Sequence, residues 1–132
     1  EAGLAIAERL AAGDPSNSAW QRDLSVSHEK IGDARNAQGD LAGALAAYEA
    51  RHSIAERLAA GDPSNSAWQR DLIVSNVKLA QVAEAQDDTT TAADRYRAAL
   101  AIADELAAEG RLAPRDAWLP DELRRRLAGL GG

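Results

Sequence analysis

A stretch of nineteen residues, Ile6–Leu24, recurs without a single change at Ile54–Leu72. The two copies lie 48 residues apart, and a third copy begins at Ile102 but loses its similarity after Ala108. Repetition at a period of this size is typical of proteins built from stacked structural units, in which each unit contacts its neighbours along the chain. The duplication therefore predicts two full repeats flanked by incomplete ones.

The composition indicates that these repeats are helical. Alanine dominates the apolar residues, whereas phenylalanine, methionine and cysteine are absent. Alanine is the strongest helix former, and β-branched residues, which favour strands, are sparse. Each repeat contains two segments of helical period. In the first repeat they are separated at Gly39 and Asp40, where a glycine suits the end of one helix and an aspartate caps the next. We predict an all-α fold.

The turn signals set the expected boundaries of the helices and repeats. Ser18 and Gln21, like Ser66 and Gln69, have the spacing of a capping box, in which the two side chains bond the first amides of a helix. The predicted helices lie near residues 2–12, 17–37, 41–60, 66–86, 90–109 and 116–128. The predicted divisions of a single repeat domain are a half repeat at 1–13, repeats at 14–61 and 62–109, and a C-terminal cap helix within 110–132.

The spacing inside each repeat resembles the tetratricopeptide repeat family. That pattern has a small residue on the first helix and Ala-x3-aromatic on the second. Gly32 and the pair Ala44 and Tyr48 fit it in one copy, and Ala80, Ala92 and Tyr96 fit it in the next. The resemblance implies a right-handed α-solenoid of antiparallel helix pairs, with the tyrosines packed between helices. The family repeat has about 34 residues, so both helices here would be longer by about two turns each.

The resemblance also implies a function, because in that family the first helix of each repeat lines a concave groove that holds a peptide. We therefore expect an interaction scaffold within a larger signalling or assembly protein, binding an apolar peptide or protein with some basic character. The candidate residues form one set in each copy, and spacings of three, four and three residues put the members of a set on one helix face. The candidate partner-binding residues are Val26, Glu29, Asp33 and Asn36 in the first copy, and Val74, Val77, Gln81 and Glu84 in the second. Between the two copies Glu29 becomes Val77 and Asp33 becomes Gln81. Sequence drift on a solvated face would explain these differences equally well.

A second function remains open, since the half repeat at the N-terminus is expected to expose Leu4, Ile6 and Leu10. Apolar side chains exposed together on one helix form an interaction surface. The chain would then be a structural module that dimerises or stacks head to tail through this surface, and a homo-oligomer is a possible partner state.

Other classes of function find little support in the sequence. The formal net charge of −6 argues against nucleic acid, which requires concentrated lysine and arginine. No apolar stretch is long enough for a membrane span, and the lack of cysteine suggests a cytoplasmic setting. We expect no enzyme activity, no metal site and no cofactor. His28 is expected to be a packing residue, His52 to lie at the surface or between repeats, and Asp87 and Asp88 to cap a helix.

Overall fold

The computed structural model of the chain describes residues 2–14 and 16–130. Within them lie α1 (Ala2–Gly13), α2 (Ser18–Ala37), α3 (Leu41–Gly61), α4 (Ser66–Ala85), α5 (Thr89–Ala108), a 3-10 turn (Pro114–Asp116) and α6 (Leu119–Gly129). No strand occurs among these residues, and the predicted all-α fold is confirmed. Parts of the predicted half repeat, first turn and cap segment fall on Glu1, Pro15, Gly131 and Gly132, which lie outside the described residues.

The observed helices follow the predicted ones closely, except at the start of α6. The ends of α1 to α5 differ from the prediction by at most one residue. The last helix was expected from residue 116 but begins at Leu119, after the separate 3-10 turn. Pro114 opens the turn and Pro120 lies in the first turn of α6. Because proline lacks an N–H and is tolerated only at the beginning of a helix, α6 cannot extend back through Pro120 to residue 116.

The predicted capping boxes are wrong, because an asparagine one residue earlier caps each helix. Asn17 Oδ1 accepts the Trp20 N–H at 3.1 Å, and Asn65 caps α4 in the same way. Asparagine is among the strongest N-cap residues, so Ser18 instead becomes the first residue of α2. Gln21 does not reach back to the cap. It is buried, and its Nε2 donates to the carbonyl oxygen of Ala11 at 3.2 Å, which ties α2 to α1.

The turns between paired helices use the same two positions in both copies. Gly39 has a φ of +78°, and Asp40 accepts the backbone N–H three residues on at 2.9 Å. In the second copy Asp87 takes the positive φ, at 60°, and Asp88 accepts the N–H three residues on at 3.1 Å. Aspartate tolerates the left-handed region better than most residues with a side chain. The capping prediction is confirmed for Asp40 and Asp88, whereas Asp87 replaces the glycine of the turn.

The chain divides into two compact units, Glu1–Gly61 and Asp62–Gly132. Their boundary coincides with the end of the first predicted full repeat. In the first unit α2 packs against both α1 and α3, and in the second α5 packs against both α4 and α6. Each unit therefore contains one long helical pair and one shorter helix that packs on one of its members.

Side-chain contacts show that the pair in the first unit is antiparallel. Tyr48 Oη donates to the Asp33 carboxylate, and one turn later Arg51 Nη2 lies 3.5 Å from Glu29 Oε1. Residue numbers thus rise along α3 while those of their partners on α2 fall. Gly32 lies directly against the Tyr48 ring, where an added Cβ would approach ring carbons to 2.5 and 2.6 Å. The absence of a side chain at this position allows the two helices to approach closely.

The second unit contains a buried hydrophobic cluster that includes α6, beside the buried polar residues Ser75 and Asn76 of α4. Its buried cluster consists of Ile73, Ala80, Tyr96, Ala99, Ala103, Leu106 and Leu123, of which Leu123 belongs to α6. Ala99 and Leu100 occupy the places of Arg51 and His52 in the first unit. Both of these polar residues are buried, so His52 does not lie at the surface, and a position between repeats stays a prediction. His52 Nε2 lies 3.5 Å from Glu56 Oε1.

Candidate partner-binding groove

A shallow, largely apolar groove on the second unit runs between α4 and the start of α6. We call it the α4–α6 groove. Its volume is about 230 Å³. It is lined by Arg70, Ile73, Val74, Val77, Lys78 and Gln81 from α4, and by Asp116, Trp118 and Leu119 from the chain around the start of α6. The α4 residues are separated by three, one, three, one and three positions, so that they share one face of the helix.

One end of the groove is held by an ion pair between Arg70 and Asp116. Arg70 Nε donates to Asp116 Oδ2 at 2.7 Å, and Nη2 donates to Oδ1 at 3.2 Å. A two-point contact of this kind fixes both position and orientation. The Asp116 side chain is only 4% exposed, and the hydrogen bonds from Arg70 are the main reason that its pKa lies below the ordinary value. The pair therefore ties the 3-10 turn to α4 and positions the residues that follow.

Trp118 forms part of the rim of the groove. It is 58% exposed, which is unusual for so large an apolar side chain. Its Nε1 donates to the Arg115 carbonyl oxygen at 2.8 Å. Because this local bond satisfies the only polar group of the side chain, the remaining ring surface has no hydrogen-bonding requirement. Trp20 and Trp68, which begin the equivalent helices, are both half-buried.

Three of the eight predicted partner-binding residues come together in this groove, namely Val74, Val77 and Gln81. Val74 and Val77 are half-buried and Gln81 is exposed. Val77 also packs against the buried cluster of the second unit, so that it belongs partly to the core. Val74 is the better representative of the groove surface.

The predicted residue Glu84 is exposed but accepts a hydrogen bond from a buried tyrosine of its own unit. Tyr96 Oη donates to Glu84 Oε2 at 2.5 Å, as Tyr48 Oη donates to the carboxylate of Asp33. The two acceptors lie one helical turn apart in the aligned copies, because Gln81 stands in the place of Asp33 and Glu84 in the place of Asn36. Each copy thus retains one carboxylate for its buried tyrosine.

These contacts affect the ionisation of both tyrosines. Burial, followed by the hydrogen bond to Glu84, raises the pKa of Tyr96 to about 12. Burial and then the bond to Asp33 raise the pKa of Tyr48 still further above its ordinary value. Loss of the phenolic proton would leave a buried negative charge beside a carboxylate, so the neutral form is favoured.

The predicted residue Glu29 also has a partner inside its own unit. It pairs with Arg51, whose side chain is almost fully buried, while Glu29 itself is about a quarter exposed. The other predicted residues of α2 are Val26, which is half-buried, and Asn36, which is exposed. It stays a prediction that α2 and α4, the first helices of the two repeats, contribute to one shared groove.

The residues that α6 and its 3-10 turn bring to the groove were not among the predicted partner-binding residues. Asp116, Trp118 and Leu119 follow a segment where the repeat has dissolved, and the offset from Trp68 to Trp118 is 50 rather than 48. The available signal was the tryptophan followed by an aspartate three residues later, which occurs in all three copies. It marks the start of an α2-like helix, and α6 packs on α5 as α2 packs on α1.

Within residues 2–14 and 16–130, no cluster of three or more histidine, cysteine or acidic side chains is arranged to hold a metal ion. In the same part of the chain, no helix combines the length and the apolar character needed to cross a bilayer. No protein-family model matches the sequence, and neither a curated protein nor a solved structure shows significant similarity to it.

Proposed function

We propose that the protein is a protein-interaction module and that the α4–α6 groove of its second unit binds an apolar segment of a peptide or protein partner. The observation that carries this proposal is the exposed ring of Trp118 beside the apolar stripe of α4. Tryptophan is the residue most enriched among the energetically dominant positions of protein interfaces. Concave, mostly apolar surfaces with a few fixed polar groups are the usual form of binding sites.

The volume of the groove and the charges near it indicate which kind of ligand it binds. A volume of about 230 Å³ accommodates one or two large apolar side chains rather than a whole small molecule of drug size. The carboxylates of Glu29, Asp33 and Glu84 serve contacts to Arg51, Tyr48 and Tyr96. The apolar anchor is therefore the main determinant of binding in this proposal, and a basic character of the partner stays a prediction.

We further propose that the helical pairs belong to a long-helix tetratricopeptide-like architecture with right-handed stacking. The close approach of Gly32 to the Tyr48 ring supports this assignment. So does the complete burial of Ala44, Ala80 and Ala92, the small residues of the family pattern. A crystal structure with left-handed stacking of successive helical pairs would contradict it.

The experiment that tests binding begins with a random peptide library displayed on phage and selected against the full chain. Enriched peptides are synthesised, and their affinities are measured by calorimetry for the parent chain and its variants. Trp118→Ala removes the exposed ring, and Val74→Glu places a charge under an apolar anchor. Each is expected to weaken binding tenfold or more, about 1.4 kcal/mol, without changing the helical circular dichroism.

The matched control is Ala101→Glu, which adds the same charge at an exposed position of α5 in the same unit. It should leave the affinity unchanged. Val26→Glu, the equivalent of Val74→Glu in the first copy, decides whether α2 also contributes to binding. The proposal fails if no peptide is enriched, or if the enriched peptides bind Trp118→Ala and Val74→Glu as tightly as the parent chain.

A further inference from the structure

The duplicated sequence places identical residues in two different environments. Ile6 of α1 is 50% exposed and Leu10 is 41% exposed. Their counterparts in α3 are Ile54, which is 4% exposed, and Leu58, which is half-buried. Since the surrounding sequence is the same from Ile6 to Leu24 and from Ile54 to Leu72, the difference must come from what packs against each helix.

Within the first unit, α2 contributes to the cover of the α3 residues. A cleft between these helices is lined by Gln21 of α2 together with Ile54, Arg57 and Leu58 of α3. The three α3 residues correspond to Ile6, Arg9 and Leu10 of α1, all of which are exposed. We call these three the α1 face. It reproduces one wall of the cleft and lacks the opposite wall.

The helix that α1 already contacts does not fill this role. α1 packs on α2, and the neighbouring residues Ala7 and Ala11 of α1 are buried whereas Ile6 and Leu10 are not. The groove between α1 and α2 is lined by Ile6 and Leu10 on one side and by Trp20 on the other, and it remains open. One further helix could therefore pack on the α1 face without displacing α2.

We propose that the α1 face is a docking surface for a helix of the α2 type, supplied by a further repeat of the same kind. The occupant is an amphipathic helix with the sequence pattern of residues 18–37, which places its equivalent of Gln21 between Ile6 and Leu10. The second helical pair shows that such helices recur, since α4 has the same first seven residues as α2.

A second folded copy of this chain is a poorer occupant. Its α2 and α4 are already packed against α3 and α5. The outward side of α6 carries the exposed residues Asp121, Arg124 and Arg125, which offer no apolar surface to Ile6 and Leu10. Head-to-tail stacking on α6 would bury these charges at a cost.

The test uses the absence of cysteine from the chain. Ile6→Cys is prepared in the 132-residue chain and in an extended chain with a copy of residues 14–48 joined directly before Glu1. Because Glu1 corresponds to Glu49, this junction continues the repeat in register and supplies one α2-type helix. The rate at which a thiol reagent labels the cysteine then reports whether the α1 face is covered.

We expect labelling of Ile6→Cys to be at least tenfold slower in the extended chain than in the original one. Ala12→Cys is the matched control on the same helix, since its counterpart Ala60 is exposed on α3, and it should react equally in both chains. Ile54→Cys should be protected in both. Circular dichroism establishes that each variant is folded.

Equal labelling of Ile6→Cys in the two chains would overturn the proposal. So would protection of Ile6→Cys in the original chain that increases with protein concentration, because the occupant would then be a second copy of the chain. Sedimentation of the original chain as a monomer at all concentrations, together with protection in the extended chain only, is the result that supports an α2-type helix.

Discussion

At the scale of single residues, the two buried tyrosines show how the copies have diverged without losing a contact. Tyr48 and Tyr96 occupy equivalent positions, but their acceptors, Asp33 and Glu84, lie on successive turns of the facing helix. Glutamate has a longer side chain than aspartate and reaches the hydroxyl from the more distant turn. The differences between the copies at these positions first suggested a changed binding surface. They also preserve one hydrogen bond for each buried tyrosine.

Alkaline titration tests the burial of these tyrosines. They are the only two in the chain, so the tyrosinate absorbance near 295 nm should not appear at the ordinary pKa of 10.0 and should rise only near 12 or above. Because the folded pKa of Tyr96 is raised, its contribution to stability is complete below pH 10 and is lost between about pH 10 and 12. A normal tyrosinate transition at pH 10 in the folded chain would contradict this burial.

The contact between Gly32 and Tyr48 makes a second prediction at this scale. Gly32→Ala places a Cβ within 2.5 Å of the ring. Overpacking of this kind costs roughly 1–3 kcal/mol, which exceeds the gain in helix propensity from alanine. We expect a net loss of up to about 2 kcal/mol in urea unfolding monitored by circular dichroism.

Gly61→Ala serves as the control for this substitution, because a Cβ at Gly61 meets no atom within 4 Å. It should be neutral or slightly stabilising. A Gly32→Ala chain as stable as the Gly61→Ala chain would mean that the tyrosine ring does not lie against α2.

At the scale of single elements, the caps and turns explain why the helix boundaries were predictable. Gly39, Asp40 and Asp88 act locally, so their roles can be read from neighbouring residues. The start of α6 was less accessible, because two prolines and a 3-10 turn replace the repeated signal there. The burial of His52 was hard to predict for another reason. Alanines occur on all sides of α3, and its buried face therefore has no clear hydrophobic periodicity.

The ion pair between Arg70 and Asp116 is the element-level contact that positions α6. Asp116→Asn should lower stability by about 1 kcal/mol, a value reduced because Arg70 is 40% exposed. Hydrogen exchange should become faster for the amides of Ala117 and Glu122, which donate to the carbonyl oxygens of Pro114 and Trp118, and peptide affinity should fall. Asp121→Asn, at a 90% exposed position of α6, should change none of these three quantities.

The pH dependence of this pair has the opposite sign to that of the tyrosines. Because the folded pKa of Asp116 is depressed, the pair contributes stability above the ordinary pKa of 3.8 and loses it as the pH falls through the lower folded value. Asp116→Asn should abolish this acid-dependent component. An unchanged acid unfolding profile in that variant would show that the ion pair does not contribute to stability.

At the scale of the whole molecule, the repeat period predicted the helical pairs but only part of the candidate site. Val74, Val77 and Gln81 could be placed on one face because helical spacing alone decides it. The ion pair between Glu29 and Arg51 joins two different helices, α2 and α3, and residue spacing along one helix does not predict it. Trp118 completes the groove only through the packing of α6 on α5 and its tie to α4, and neither interaction has a local sequence signal.

Chemical-shift mapping tests most directly whether the α4–α6 groove binds an apolar partner segment. A peptide enriched from the displayed library is titrated into the isotopically labelled full chain. We predict that the largest changes occur at the amides of Val74 and Gln81 and at the indole Nε1–H of Trp118. Saturable binding with changes confined to other residues, such as Ile6 and Leu10 of α1, would contradict the claim.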